Sequence, residues 1–359
     1  MKNSKVLLVS INFETSKGGV SRVAHLMSEA LPPSKMLSLY GKKELNSSNQ
    51  FYFNKNRITF LWAVIKAIFF DRPKIIVFDH IGPSSILFFI PQFLLKKIIV
   101  FLHDEEAWKP VITRHYKALM KATHILCNSE YTYKKFIANN PVFKPKTKVC
   151  LLAGVPSKFE QIKLDLTANQ YQNWQSEGAP YVLFVSRLWK EHRYKGHLNL
   201  IQAMKLAIAN NPNFNLRLAI VGNGDDESTV REQIVSNQLE NHIHLFTNVD
   251  DEALAHFYRN SLGLFFPSDR EGFGFVFLEA MYFSKCCIGI ADQPAEEIIL
   301  DGLSGKLLID NRSENILPVL MDMSIHSEVY YNMGLEGRKI FDTKFTSAHF
   351  YQRFLEAIQ

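Results

Sequence analysis

The sequence predicts an α/β protein made of two doubly wound, mostly parallel sheets. Short apolar runs bounded by Gly, Asn, Asp and Pro alternate with longer segments of helical period up to residue 156, and the alternation resumes at Tyr181. Between these regions, residues 157–178 lose periodicity and read as a linker. At 359 residues the chain is long enough for two cores, with ligand expected between the domains.

The first strand is expected at residues 5–11, followed by the turn Lys17-Gly18-Gly19-Val20 and a helix over residues 20–31. Strand, glycine pair and helix start can accept a phosphate, but the third spaced glycine of a dinucleotide fingerprint is absent. Residues 58–70 have helical period and stop at Asp71-Arg72-Pro73, a strand follows at 74–78, and residues 83–95 are expected to be helical despite Pro91. A strand at 97–102 delivers His103-Asp104-Glu105-Glu106 at its C-terminal end, where open sheets bind ligands. Strand 125–128 leads to Ser129, which suits the N-cap of the next helix, and strand 148–152 completes the first sheet.

In the second half, the strand starting at Tyr181 ends in Ser186-Arg187-Leu188, and Lys195-Gly196-His197 opens a helix. An arginine can grip phosphate oxygens bidentately and a lysine adds a point charge, so the pair suits a diphosphate that leaves as an anion. Strands at 216–221 and 243–246 end in Gly222-Asn223-Gly224-Asp225 and Thr247-Asn248-Val249. The most informative stretch is residues 263–281: a short strand, the turn Ser268-Asp269-Arg270-Glu271-Gly272-Phe273-Gly274, then an apolar helix containing Glu279. Its glycines let backbone approach a ligand, and the helix start offers unpaired N–H groups. Ionised carboxylates only accept hydrogen bonds, which suits sugar hydroxyls. Each of these strings also has a plain structural reading as surface acids, solvated cations or tight turns.

Charge is uneven. Residues 1–160 carry 24 Lys and Arg against 10 Asp and Glu, a net +14, whereas the remainder carries 17 against 25, a net −8. The basic half lacks any nucleic-acid motif, so no nucleic-acid partner is expected and an anionic membrane surface fits better. Cys127, Cys150, Cys286 and Cys287 form no metal or disulfide pattern and read as buried, reduced thiols. The apolar stretches at 60–70 and 86–95 are too short to span a bilayer.

The strings Gly-Gly-Val, strand-His-Asp, Arg…Lys-Gly-His and Glu-Gly-Phe-Gly…Glu occur in an order that resembles the retaining family-four glycosyltransferases, which have the GT-B fold. The resemblance is strong over residues 181–309 and looser over 1–156. It implies two Rossmann-like doubly wound domains facing a central cleft, with boundaries at 1–160 and 161–340 and a C-terminal helix in 341–359 returning to the first domain. It further implies transfer of a hexose from GDP-mannose or a UDP-hexose to a saccharide or lipid-linked saccharide acceptor in cell-surface polysaccharide synthesis. The alternative is an inactive nucleotide-sugar-binding protein of the same fold. His103, Arg187, Lys195 and Glu271 take the catalytic positions, and Gly19, Gly222, Asn248, Val249, Gly272, Phe273, Gly274 and Glu279 the donor-binding ones. No Asp-x-Asp string is present, so neither metal nor cofactor is expected. Two departures stand out: a longer gap between Arg187 and Lys195, and Asn248 where the family usually has glycine. The implied location is cytoplasmic, peripheral on the inner face of the membrane.

Overall fold

The computed structural model describes residues 5–14, 18–41, 48–154, 159 and 179–359. They form two compact units, Met1–Gly154 with Thr346–Gln359, and Val155–Phe345. The divisions thus fall after Gly154 and Phe345, whereas the sequence reading placed them after 160 and 340. The expected linker at 157–178 lies, Phe159 apart, outside the described residues.

The first unit contains β1 (Val6–Asn12), α1 (Gly19–Ala30), β2 (Lys35–Tyr40), β3 (Gln50–Tyr52), α2 (Arg57–Lys66), β4 (Ile75–Phe78) and α3 (Ile81–Ser84). It continues with β5 (Lys97–Leu102), α4 (Thr113–Lys121), β6 (His124–Cys127), α5 (Glu130–Asn139) and β7 (Thr147–Val149). The strands lie in the order β3-β2-β1-β4-β5-β6-β7, every pair parallel. Helices on both faces explain why the central strands are continuous apolar runs rather than alternating ones. Ile98 to Leu102 of β5 have no exposure at all, and burying each such side chain is worth roughly 1.5–3 kcal/mol.

Local chemistry sets the ends of these elements. Ser129 caps α5 by accepting the Thr132 N–H at 3.1 Å, as its position in the sequence implied. The helix expected over 83–95 is instead α3 followed by short 3-10 turns at Ser85–Phe89 and Gln92–Leu94. Ile90 breaks it, because a residue before proline is pushed out of the helical region, and it is extended here at φ −93° and ψ 126°. Helix α2 stops at Lys66 and passes into a π-turn, Ala67–Asp71.

The second unit contains β8 (Tyr181–Val185), α6 (His197–Asn210), β9 (Arg217–Val221), α7 (Glu227–Ser236), β10 (Ile243–Phe246), α8 (Asp251–Asn260) and β11 (Gly263–Phe265). Then come α9 (Phe275–Tyr282), β12 (Cys286–Ile290), β13 (Gly305–Leu308), α10 (Ser313–Ile325) and α11 (Ser327–Lys344). The parallel order is β10-β9-β8-β11-β12-β13. The last helix, α12 (Ser347–Ala357), belongs to the first unit and packs on α1. Phe350 and Phe354 are fully buried there, and Arg353 Nη1 donates to the Leu151 carbonyl at 2.9 Å. All four cysteines are buried and unpaired. Among the described residues, no helix is long and apolar enough to cross a membrane.

At the C-terminal end of the first sheet a buried polar network bridges β1, β4 and β5. Asp79 accepts from Ser10 Oγ at 2.6 Å and from the Ile11 N–H at 3.0 Å. Burial outweighs these bonds and pushes its carboxyl up to about 7. His103 donates Nε2–H to the Asp79 carbonyl at 2.5 Å; burial lowers the pKa of His103, and lowers that of His80 to about 4.

The two kinds of group act oppositely on stability. Between about pH 4 and 6.5 the unfolded chain binds a proton on His80 that the folded chain lacks, and His103 is shifted in the same direction, so both histidines make stability rise with pH. Asp79 keeps a proton only in the folded state over that window, so it makes stability fall with pH. Asp79→Asn should therefore leave a urea midpoint that climbs more steeply with pH than the parent's. Parallel curves would contradict this assignment.

Candidate active site

In the second unit the chain runs outward from β8 to β10 and then restarts on the other side of β8 with β11. The crevice at the C-terminal ends of β8 and β11 is thus a topological switch point, where open parallel sheets take ligands. Arg187 follows β8, Lys195 ends the 3-10 segment Lys190–Lys195, and the Glu271–Gly274 loop follows β11. The Asp269 N–H donates to the Tyr194 carbonyl at 2.9 Å, which ties the two loops together.

Lys195 Nζ lies 3.8 Å from Glu271 Oε2, with side-chain exposures of 13% and 24%. That separation is beyond a direct hydrogen bond, so the two form an ion contact in a half-shielded site where screening is weak. The ammonium also lies 5.3 Å from the centre of the Phe266 ring. Arg187 is exposed, and its guanidinium stacks over Trp189 at 4.7 Å, which holds the fork without using its N–H donors.

The longer gap between Arg187 and Lys195 is held by residues the sequence reading missed. Arg193 donates Nε–H to Asp226 Oδ2 at 2.8 Å and Nη2–H to Oδ1 at 2.5 Å. His197 Nε2 is 3.1 Å from the same carboxylate, which has no solvent exposure. Hydrogen bonds from Arg193 hold Asp226 well below the usual carboxylate range. The Lys190 N–H donates to Asp225 Oδ1 at 2.8 Å. The sequence signal was slight: two aspartates after Gly-Asn-Gly and one arginine in an apparently surplus loop.

Gly222 and Gly224 are small because the Arg187 loop passes directly over them. A Cβ on Gly222 would lie 1.8 Å from the Ser186 carbonyl oxygen, and one on Gly224 would lie 1.9 Å from that of Leu188. The Gly222 N–H is engaged by the Phe246 carbonyl at 3.0 Å, so the structure gives this residue a packing role. Asn248 sits at φ 54°, a left-handed conformation, which explains why glycine is usual at this position and why asparagine can replace it. Its N–H donates to Asn223 Oδ1 at 2.7 Å, and Val249 beside it is half-buried.

Gly274 precedes α9 at φ 98°, a conformation open to glycine. The Phe273 side chain is buried, so this residue meets a ligand only through its backbone. Glu279 lies in α9 at 2% exposure and accepts from Tyr258 Oη at 2.7 Å. Tyr258, on α8, is a further contributor that the sequence reading missed; a tyrosine on an amphipathic helix gave no sign of it.

In the first unit, Gly19 begins α1 at the C-terminal end of β1, and His103 follows β5 at 5% exposure. A backbone carbonyl only accepts, so His103 carries its proton on Nε2, and Nδ1 is the acceptor of the neutral ring.

Residues 168–339 match the family model described as "Glycosyl transferases group 1". The match falls wholly within the second unit. Over 338 residues the chain is 26% identical to a Klebsiella pneumoniae protein described as "Uncharacterized 41.2 kDa protein in cps region", covering 87% of this chain and 89% of that one. It is 26% identical to the "Capsular polysaccharide biosynthesis glycosyltransferase CapM" of Staphylococcus aureus, covering 64% of this chain and 60% of CapM. Among solved structures, Anabaena Alr3699/HepE in complex with UDP-glucose superposes with a TM-score of 0.77 at 17% identity, covering 99% of each chain. The lipopolysaccharide outer core galactosyltransferase WaaB, apo form, gives 0.72 at 14% identity, again over 99% of each. These likenesses establish the fold: two Rossmann-like, parallel-sheet units of the GT-B kind.

The buried Tyr258–Glu279 bond is testable by itself. Tyr258→Phe removes a hydrogen bond to a carboxylate and should cost about 1.5–3 kcal/mol of stability in urea denaturation. A change below about 0.5 kcal/mol would show that Glu279 does not depend on this donor.

Proposed function

We propose that the chain is a retaining hexosyltransferase of the family-four, Glu-x7-Glu type, using a nucleoside-diphosphate sugar. The carrying observation is the Lys195–Glu271 ion contact at the switch point of a group 1 domain, with Arg187 at the end of the neighbouring strand. Arg187 and Lys195 neutralise the diphosphate as the glycosidic bond breaks, and the amide end of α9 after Gly274 adds a positive dipole. Glu279 accepts from ribose hydroxyls, while Glu271 and the backbone of Gly272, Phe273 and Gly274 hold the donor sugar. Asn248 and Val249 offer backbone atoms to the base, and Gly222 supports the turn beside them. Within the first unit, the Gly19 N–H suits a phosphate oxygen and His103 Nδ1 suits a sugar hydroxyl.

Protein cations supply the electrostatic stabilisation that a metal provides elsewhere, so the proposed reaction is metal-independent. Retention follows from a same-face substitution in which the leaving phosphate accepts the acceptor's proton, with no enzyme nucleophile. The structures of HepE with UDP and glucose, and with UDP-glucose, favour a UDP-hexose donor, and GDP-mannose is the alternative. The descriptions of CapM and of the protein from the cps region support a saccharide or lipid-linked acceptor in capsule-type polysaccharide synthesis. The net +14 of residues 1–160 supports work at the anionic inner face of a membrane. A nucleotide-sugar-binding protein without turnover is the other reading, and hydrolysis of the donor in the absence of acceptor separates the two.

Lys195→Ala should lower kcat by roughly 10²–10³-fold while changing the KM for donor little, because its charge is needed most as the phosphate departs. A variant with raised KM and unchanged kcat would reduce Lys195 to a binder.

A further inference from the structure

The segment between Arg187 and Lys195 carries three aromatic rings, those of Trp189, His192 and Tyr194. They stand in series: the Trp189 and His192 ring centres are 5.1 Å apart, and those of His192 and Tyr194 are 5.4 Å apart. A guanidinium closes each end. Arg187 lies over the Trp189 ring at 4.7 Å, and Arg270, from the loop after β11, lies over the Tyr194 ring at 5.1 Å. Trp189 is 39% exposed and belongs to no core, so its contact with a cation is what gives so large a ring a reason to stand at the surface.

The backbone around Trp189 is pinned on both sides. Leu188 is buried between Arg187 and Trp189, so side-chain alternation turns those two to the same, outward side. The Leu188 N–H donates to the Asn223 carbonyl at 2.8 Å, and the Leu188 carbonyl accepts from the Asp226 N–H at 2.9 Å. The next residue, Lys190, donates its N–H to Asp225 Oδ1 at 2.8 Å. The indole itself lies against Gly224, where a Cβ would come within 2.6 Å of Trp189 Cδ1. Among the described residues, the Arg187 guanidinium makes no ion pair and no hydrogen bond, and the ring is its partner. Guanidinium donors lie in the plane of the group, so an indole on its face leaves each of them able to reach phosphate oxygens. An unsupported arginine loses its side-chain freedom when it grips a phosphate, whereas a stacked one has lost much of it beforehand.

We propose that Trp189 is a positioning residue for the diphosphate. Its ring orders Arg187 before the ligand arrives and stays on the face of the guanidinium while the in-plane donors take the phosphate oxygens. Trp189 itself touches neither phosphate nor base. The inference rests on the donor site proposed above.

The test is calorimetric titration of the full chain and its variants with UDP and uridine, and with GDP and guanosine. In the series that the parent binds, Trp189→Leu should weaken diphosphate binding roughly two- to five-fold, the value of an exposed cation–π contact, and leave nucleoside binding unchanged. Trp189→Phe keeps a ring face and should recover most of that loss. In an Arg187→Ala chain, Trp189→Leu should change nothing further, because the ring acts only through that arginine. Equal losses for nucleoside and diphosphate would make Trp189 a base contact or a structural prop and overturn the assignment. An undiminished additional loss in the Arg187→Ala chain would overturn it as well, and so would tighter diphosphate binding by Trp189→Leu. A parent that binds neither diphosphate would refute the donor site itself. A parent that binds one, with Trp189→Leu indistinguishable from it, would refute the positioning role alone.

Discussion

The carboxylate of Asp226 is the constraint on which the second unit's site depends. It has no contact with solvent, yet it is ionised because Arg193 meets it through two nitrogens and His197 through a third. A buried charge is tolerated only when its lone pairs are met, so the segment carrying Arg193 has one place to go. That fixes the 3-10 turn ending in Lys195, and with it the approach of Lys195 to Glu271. Gly222 and Gly224 serve the same end, since any side chain there would collide with the loop that presents Arg187. The pair of cations is thus positioned by packing and by an anion shut away from solvent.

Much of the fold was legible because parallel sheets buried on both faces write themselves as apolar runs, and β1, β5, β8 and β9 all read that way. What stayed hidden was short or context-dependent. Strand β3 has three residues, too few to show a period, and the segment after α3 looked helical until Pro91 forced Ile90 to extend. At the candidate site, spacing singled out Lys195 and Glu271, which the structure brings within 3.8 Å of each other. It could not disclose Asp226, Arg193 or Tyr258, because a partner brought by the fold from a distant part of the chain leaves no local pattern. Asn248 shows the converse: a departure from the usual glycine has its reason in one torsion angle, which asparagine can adopt.

The first unit has a different character. Its sheet ends in a nearly neutral buried network, where burial keeps protons on Asp79 and off His80 and His103. A neutral histidine with a fixed acceptor nitrogen can meet a hydroxyl donor without adding charge to the buried network. The same unit carries the basic excess of the chain and an exposed aromatic face.

The central claim is that Arg187 and Lys195 form a diphosphate site, and calorimetric titration of the full chain with UDP, UMP and uridine, and with the guanosine series, tests it most directly. One series should show the diphosphate binding at least about 100-fold more tightly than its nucleoside, since two charge-assisted contacts are gained. Nucleoside and diphosphate binding equally well in both series would contradict it.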